Sequence, residues 1–244
     1  MPLTLTLSRS RWSASWGMTL LTVLAVAGFV DLGHWQWQRA QQKRTLATAF
    51  TAGDGVASEL DTRATVALPR YAQVRVHGRY DGAHQFLLDN ISHAGRAGYD
   101  ILTPMLLPDG RTLLVNRGWV PLASSRRQLP DVALHADTEL VAAGKLDNLP
   151  VVGIALGHVA PIAGSDWPKL TSFPTMSDLA AALGRPTEAR QLLLNPDEPF
   201  GYLRDWHPGG LSAERHLSYA VQWWSFAALA LVLYAVLNRA KARR

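Results

Sequence analysis

Leu217-Ser218-Tyr219-Ala220-Val221-Gln222-Trp223-Trp224-Ser225-Phe226-Ala227-Ala228-Leu229-Ala230-Leu231-Val232-Leu233-Tyr234-Ala235-Val236-Leu237 is a run of 21 residues without a charge. A second run, 18 uncharged residues from Ser13 to Val30, lies towards the other end of the 244-residue chain. As α-helices rising ~1.5 Å per residue they reach about 31 and 27 Å, close to the ~30 Å hydrocarbon core, so both are predicted to span a bilayer. Six of the nine tryptophans sit near their edges: Trp12, Trp16, Trp35, Trp37, Trp223 and Trp224. Indole rings favour the headgroup boundary, where the apolar body and the N–H are both satisfied. A helix in a water-soluble core has no reason to collect them at its ends.

The charge pattern agrees with this reading. Of the formal +5, Arg9 and Arg11 precede the first run, and Arg239, Lys241, Arg243 and Arg244 follow the second. The other 18 Lys and Arg face 19 Asp and Glu. That balance leaves no excess positive field for phosphates, and no nucleic-acid partner is expected. Basic flanks on short tails place both termini in the cytoplasm, with residues of roughly 38 to 212 on the far side. A competing reading is a cleaved signal peptide with Ala25-Val26-Ala27 as its cleavage site. The first run is long for such a peptide, and cleavage would leave the second as a lone anchor. The expected division is a tail at 1–12, a first span at 13–32, a far-side domain at 33–216, a second span at 217–237 and a basic tail at 238–244.

Between the spans, His34 to Arg44 holds no Gly or Pro, so the first helix is predicted to continue over 33–50 and to break at Thr51 to Gly55. From there turns recur every 8 to 12 residues, the spacing of an antiparallel β domain, placed over 66–195. Strands are expected at Tyr71–Arg79, Gln85–Asp89, Tyr99–Leu107, Thr112–Val120, Glu139–Leu146 and Gln191–Leu194, with a further one at Val151–Leu156. Pro108-Asp109-Gly110 reads as a hairpin turn, since Pro presets φ and Gly accepts positive φ. Ser177–Leu183 reads as a short helix capped by Ser177 and stopped by Gly184 and Pro186. The fold class is thus a membrane α+β protein, a two-helix transmembrane hairpin flanking a mainly antiparallel β domain with minor helices.

No catalytic constellation emerges. The chain has no G-x-x-x-x-G-K, H-E-x-x-H, G-x-S-x-G or EF-hand loop, and no enzymatic role is expected. Absence of cysteine excludes thiol catalysis, C-x-x-C redox exchange and thiolate metal sites. The four methionines are scattered and form no thioether cluster, which leaves histidine as the metal ligand. His77, His84, His93, His135, His158 and His207 lie singly in predicted strands or turns, as surface or hydrogen-bonded histidines do. His34 and His216 differ, because each stands at the outer mouth of one span. Helical spacing puts His216, Tyr219, Ala220, Trp223 and Ala227 on one face. That face suits a flat macrocycle, with a histidine as ligand to haem iron. On these residues alone it better suits packing against the first span, with Tyr219 and Trp223 as anchors and Gln222 as a polar contact between helices.

Six fragments in order carry a family resemblance. They are Leu32-Gly33-His34-Trp35-Gln36-Trp37-Gln38-Arg39, Gly78-Arg79-Tyr80 with Leu88-Asp89-Asn90, Gly98-Tyr99-Asp100-Ile101-Leu102-Thr103-Pro104, Leu114-Val115-Asn116-Arg117-Gly118-Trp119-Val120-Pro121, and His216-Leu217-Ser218-Tyr219-Ala220-Val221-Gln222-Trp223. The chain resembles the surfeit-locus protein 1 family, assembly factors for cytochrome c oxidase. The resemblance implies a two-span membrane protein whose central domain is periplasmic in bacteria or faces the intermembrane space in mitochondria, here expected in a bacterial inner membrane, that binds haem a and assists its insertion into the oxidase catalytic subunit. Partners so implied are that subunit, haem A synthase and the lipid bilayer. It also associates haem binding with the histidine opening the second span, here His216. His34 as a second ligand, Arg39 as a propionate partner, and Tyr219 and Trp223 as ring contacts are expectations from helical geometry. The alternative is a haem-free membrane scaffold that stabilises the nascent oxidase subunit. The Asn116-Arg117-Gly118-Trp119 block matches the family without an evident chemical role, and Gly118 within a strand predicts a bulge or a close backbone approach.

Overall fold

The computed structural model describes residues 11–240 apart from 13, 54, 61–63, 124–128, 135–138, 151–158 and 162–165. In chain order the elements are β1 (Arg11–Trp12), α1 (Trp16–Ala52), β2 (Ser58–Glu59), a 3-10 turn (Thr65–Ala67), β3 (Gln73–Tyr80), β4 (Phe86–His93), β5 (Arg96–Leu106), β6 (Thr112–Pro121), β7 (Leu140–Asp147), β8 (Lys169–Thr171), α2 (Met176–Leu183), β9 (Gln191–Leu194), α3 (Ala213–Leu237) and β10 (Arg239–Ala240). They form two compact units, Met1–Ala47 with Gly210–Arg244, and Thr48–Gly209.

The first unit is the helical hairpin. Both α1 and α3 are long and apolar enough to cross a membrane. The less exposed residues of α1 recur at Thr19, Thr22, Val26, Phe29, Gly33, Gln36, Ala40 and Lys43, and those of α3 at Ala213, His216, Ala220, Trp223, Ala227, Ala230 and Tyr234. Alternating steps of three and four are the seam of a left-handed coiled pair. Thr19 Oγ1 lies 2.7 Å from Tyr234 Oη at one end, and Gln36 meets His216 at the other, so the helices run antiparallel. Small residues let the backbones approach where lipid offers no hydrophobic drive. Gly33, Ala40, Ala213, Ala220 and Ala227 are the buried residues of the seam. A Cβ on Gly33 would lie 2.3 Å from Trp224 Nε1, so that indole occupies the space a side chain would take. Phe29 and Trp223 stack across the seam with centroids 5.9 Å apart.

The second unit is a sheet that closes on itself. Strands β3, β7, β9, β6 and β5 are neighbours in that order, and the end of β3 returns to β5, Arg79 opposite Leu106 and Tyr80 opposite Met105. Closure leaves the ring without free edges, and β2, β4 and β8 extend it outside. Pairing is mainly antiparallel, with parallel contacts at β2–β3, β4–β8 and β6–β9. Along β3, buried Val74, Val76, Gly78 and Tyr80 alternate with exposed Arg75, His77 and Arg79. Val74, Val76 and Tyr80 join Met105, Leu113, Val115, Leu146, Leu192 and Leu194 in the ring's core. Strands β5 and β6 are buried along most of their length because further clusters cover their other surface, one built on Leu102, Leu114 and Leu179 of α2, the other on Tyr99, Ile101 and Val132.

Six predicted strands are present within a few residues of their expected bounds, and α1 runs two residues past Phe50. The Val151–Leu156 strand, His135 and His158 lie outside the described residues. The cap of α2 is corrected. Thr175, not Ser177, is the N-cap, because Thr175 and Asp178 exchange the two bonds of a capping box. The Pro108-Asp109-Gly110 turn joins β5 to β6, with Gly110 at φ 86° donating its N–H to Leu107 O at 3.0 Å.

Both expectations for Gly118 are met. Asp100 pairs with Trp119 and Leu102 with Asn116, so Ile101 faces two residues, Arg117 and Gly118, across a bulge. Gly118 has φ 111°, and a Cβ there would lie 2.7 Å from Leu203 O, which already accepts the Trp119 N–H at 2.7 Å. At Gly110 nothing lies within 4 Å of such an atom. Gly110→Ala is therefore expected to cost about 1–2 kcal/mol from its left-handed φ. Gly118→Ala combines backbone strain with a backbone clash and is expected to cost about 3 kcal/mol or more. Thermal melts of the detergent-solubilised protein should rank wild type above Gly110→Ala and Gly110→Ala above Gly118→Ala.

Candidate functional site

His216 stands in the first turn of α3, which is capped by Ser212, whose side chain accepts the Arg215 N–H. One turn to either side, Ala213 and Ala220 are buried in the seam, and His216 between them is half-buried. Its Nδ1 lies 2.7 Å from Gln36 Oε1. Gln36, one turn beyond Gly33, is thus the α1 residue that meets His216. Among the described residues Nε2 of His216 has no hydrogen-bond partner.

The other residues singled out by helical geometry are distributed differently. His34 lies off the seam, accepts from Gln38 Nε2 through its own Nε2 at 2.9 Å, and stacks on Trp37 at 5.7 Å. That hydrogen bond engages the Nε2 lone pair. Arg39 donates to Gln42 Oε1 at 3.1 Å and sits 5.7 Å from the Trp35 ring, all within α1. Tyr219 is 45% exposed on the outer side of α3, while Trp223 turns inward against Phe29 and Phe226. The face holding His216, Ala220, Trp223 and Ala227 is the one packed on α1. Gln36 was legible only as part of a motif. The heptad phase of Gly33, Gln36 and Ala40 is the signal that puts Gln36, rather than His34, on that face.

The Asn116-Arg117-Gly118-Trp119 block has a structural role. Arg117 is 2% exposed. Its Nε donates to Thr103 Oγ1 at 2.9 Å, Nη1 to Phe200 O at 3.0 Å, and Nη2 to Gln85 Oε1 at 2.9 Å and Val132 O at 3.1 Å. Tyr202 packs its ring 5.0 Å from the guanidinium carbon. Among the described residues these partners are uncharged, and burial lowers the Arg117 pKa from its ordinary value. The guanidinium ties the β5–β6 pair to the segments carrying Val132 and Phe200, and it shares the Val132 carbonyl with Gln85 Nε2, which donates to it at 2.7 Å. Arg204 does similar work within its own loop, donating to the carbonyls of Asn195, Pro196, Glu198 and Tyr202. Trp119 donates Nε1–H to Ile91 O at 3.2 Å, closing the block against β4.

Asn116 organises the neighbouring polar cluster. It donates to Asp100 Oδ2 at 3.1 Å and Gln191 Oε1 at 3.3 Å, and its own Oδ1 accepts the Gly118 N–H at 3.2 Å. Asp100 is 7% exposed, and burial pushes its pKa up to about 6, against the opposing pull of the Asn116 hydrogen bond and the charge of His93. Among the described residues no three His, Asp or Glu gather as a metal site. The chemistry on offer is therefore the His216 imidazole in the seam of the hairpin and, in the sheet unit, hydrogen-bonded clusters around Arg117 and Asn116.

The raised Asp100 pKa sets a pH dependence. The folded state favours the protonated acid, so the contribution is full below the unfolded carboxyl's pKa of about 3.9 and is lost as pH rises through about 6. Asp100→Asn keeps an acceptor for Asn116 without the charge. Relative to this variant, the wild type is expected to lose on the order of 2–3 kcal/mol between pH 4 and pH 7. Urea midpoints at pH 4, 5, 6 and 7 measure this, and parallel profiles for the two proteins would refute it.

Comparison with known proteins adds one match. A family model described as the SURF1 family matches residues 23–228, from within α1 to within α3. No curated protein matches the chain.

Proposed function

Because the chain belongs to the SURF1 family, a family of assembly factors for cytochrome c oxidase, we propose that it takes up haem a, holds it through His216 and assists its insertion into the oxidase catalytic subunit. On this reading the hairpin lies in a bacterial inner membrane with both termini cytoplasmic and the sheet unit periplasmic. The catalytic subunit receives the cargo and haem A synthase supplies it.

The observation that carries the reading is the state of His216. It is an imidazole at the mouth of an apolar helix, half-exposed, with Nδ1 engaged by Gln36 and Nε2 left for a metal. Haem supplies the iron that such a nitrogen binds, and the protein supplies the ligand and its orientation. Tyr219, exposed one turn along, offers an aromatic surface beside the same end of the helix. A carrier must also release its cargo, and a site at the outer rim of two helices favours exchange over burial.

A second reading has support of its own. Ala220 and Ala227 are buried on α1 and Trp223 stacks on Phe29, so the face that suits a macrocycle is already filled by protein. A hairpin so packed serves as a haem-free scaffold for the nascent subunit. The visible spectrum of the full-length protein, purified in detergent from cells that make haem A, separates the two. The carrier reading expects stoichiometric haem a in wild type and its loss in His216→Ala, with the helical content of the variant unchanged. If neither protein holds haem while both copurify with the oxidase subunit, the scaffold reading replaces it.

A further inference from the structure

Resting on the reading of His216 as a haem ligand, we propose that Gln36 is a positioning residue that fixes the tautomer of His216 and so presents its Nε2 lone pair to iron. The geometry is specific. Gln36 Oε1 lies 2.7 Å from His216 Nδ1. An amide oxygen only accepts, so the imidazole proton resides on Nδ1 and the neutral ring carries its lone pair on Nε2. A histidine in water prefers the opposite tautomer, with the proton on Nε2 and that lone pair lost to a metal. The Gln36 contact therefore selects the ligating form before any metal arrives.

The fold holds both partners in place. Gln36 lies between Gly33, whose lack of a side chain makes room for Trp224, and Ala40, which is buried. His216 lies between Ala213 and Ala220, both buried. The two side chains thus face each other across a stretch of seam bounded on either side by small residues that admit little sliding. A ligand histidine whose second nitrogen donates to an oxygen is the usual arrangement at metal sites, and loss of that oxygen typically weakens metal binding 10–100-fold. His34 has the reverse arrangement, since its Nε2 accepts from Gln38. The same geometry explains how two separated motifs, one after each mouth of the hairpin, come to act on one ring.

The test uses the full-length protein in detergent micelles, with 15N-labelled histidine, before and after loading with haem a. His216→Ala identifies the His216 signals. In the haem-free wild type, the His216 nitrogen shifts should report a protonated Nδ1 and an unprotonated Nε2. Gln36→Leu should move His216 to the tautomer protonated on Nε2, weaken haem a binding 10–100-fold, and lower the iron–histidine stretching frequency in resonance Raman spectra. Gln36→Glu should retain the wild-type tautomer and raise that frequency, because a carboxylate draws the Nδ1 proton more strongly. This rescue separates positioning from a purely structural role, and circular dichroism of both variants checks that the hairpin persists. Haem bound by wild type with tautomer, affinity and stretching frequency unchanged in Gln36→Leu would overturn the proposal alone. A wild type that binds no haem would overturn the carrier reading and this proposal with it.

Discussion

The crossing of α1 and α3 admits side chains no larger than a methyl group at Gly33, Ala40, Ala213, Ala220 and Ala227. In surroundings as apolar as the side chains themselves, burial of hydrocarbon cannot drive helices together, so close packing and a few polar contacts must. Everything particular about the helical unit follows from that restriction. The small residues bring the backbones close enough for Thr19 to reach Tyr234 and for Gln36 to reach His216. Polar residues placed on lipid-facing positions would gain neither partner. The Phe29–Trp223 stack fills the remaining width between them.

The sheet unit answers a related demand by different means. Closing β3 onto β5 removes free strand edges, but the bulge opposite Ile101 leaves backbone groups displaced from the ladder. Gly118 turns through φ 111° so that Trp119 N–H and Arg117 C=O bond to Leu203 and Tyr202 instead. The Arg117 guanidinium then satisfies carbonyls from two separate segments at once. A buried cation among neutral acceptors is costly to desolvate, and here its donors serve several acceptors at once, within a network that Gln85 and Thr103 complete. The family block in this strand therefore holds irregular segments onto the sheet.

As an oxidase assembly factor the chain has two kinds of invested structure. The sheet unit spends its polar residues on internal order, with Asp100, Asn116 and Gln191 turned toward one another. In the seam of the hairpin, Nε2 of His216 has no hydrogen-bond partner among the described residues. That contrast is why the proposed cargo site is placed on His216 and not among the more numerous buried polar groups. It also shows why the scaffold reading has substance, since most of the α3 face is already in contact with α1.

The amino-acid sequence by itself determined the elements. Uncharged runs of span length with tryptophan edges, turn residues every 8 to 12 positions, and the Pro108-Asp109-Gly110 turn are local signals, each written in the residues that form the element. The heptad phase of α1 is also there, in Gly33, Gln36 and Ala40, and it sets His34 off the seam. The α2 cap is not a local signal of this kind, because Thr175 and Ser177 are both good caps and the reciprocal bond from Asp178 selects Thr175. What the tertiary structure alone decided are pairings between distant residues. Closure of β3 on β5, the parallel placement of β9 beside β6, the acceptors of Arg117 from positions 85, 103, 132 and 200, and the meeting of residues 36 and 216 depend on strand register and helix phase acting together. Hydrogen bonding has no preference in sequence separation, so a polar side chain announces that it needs a partner without saying which one. The packing of backbones made that choice.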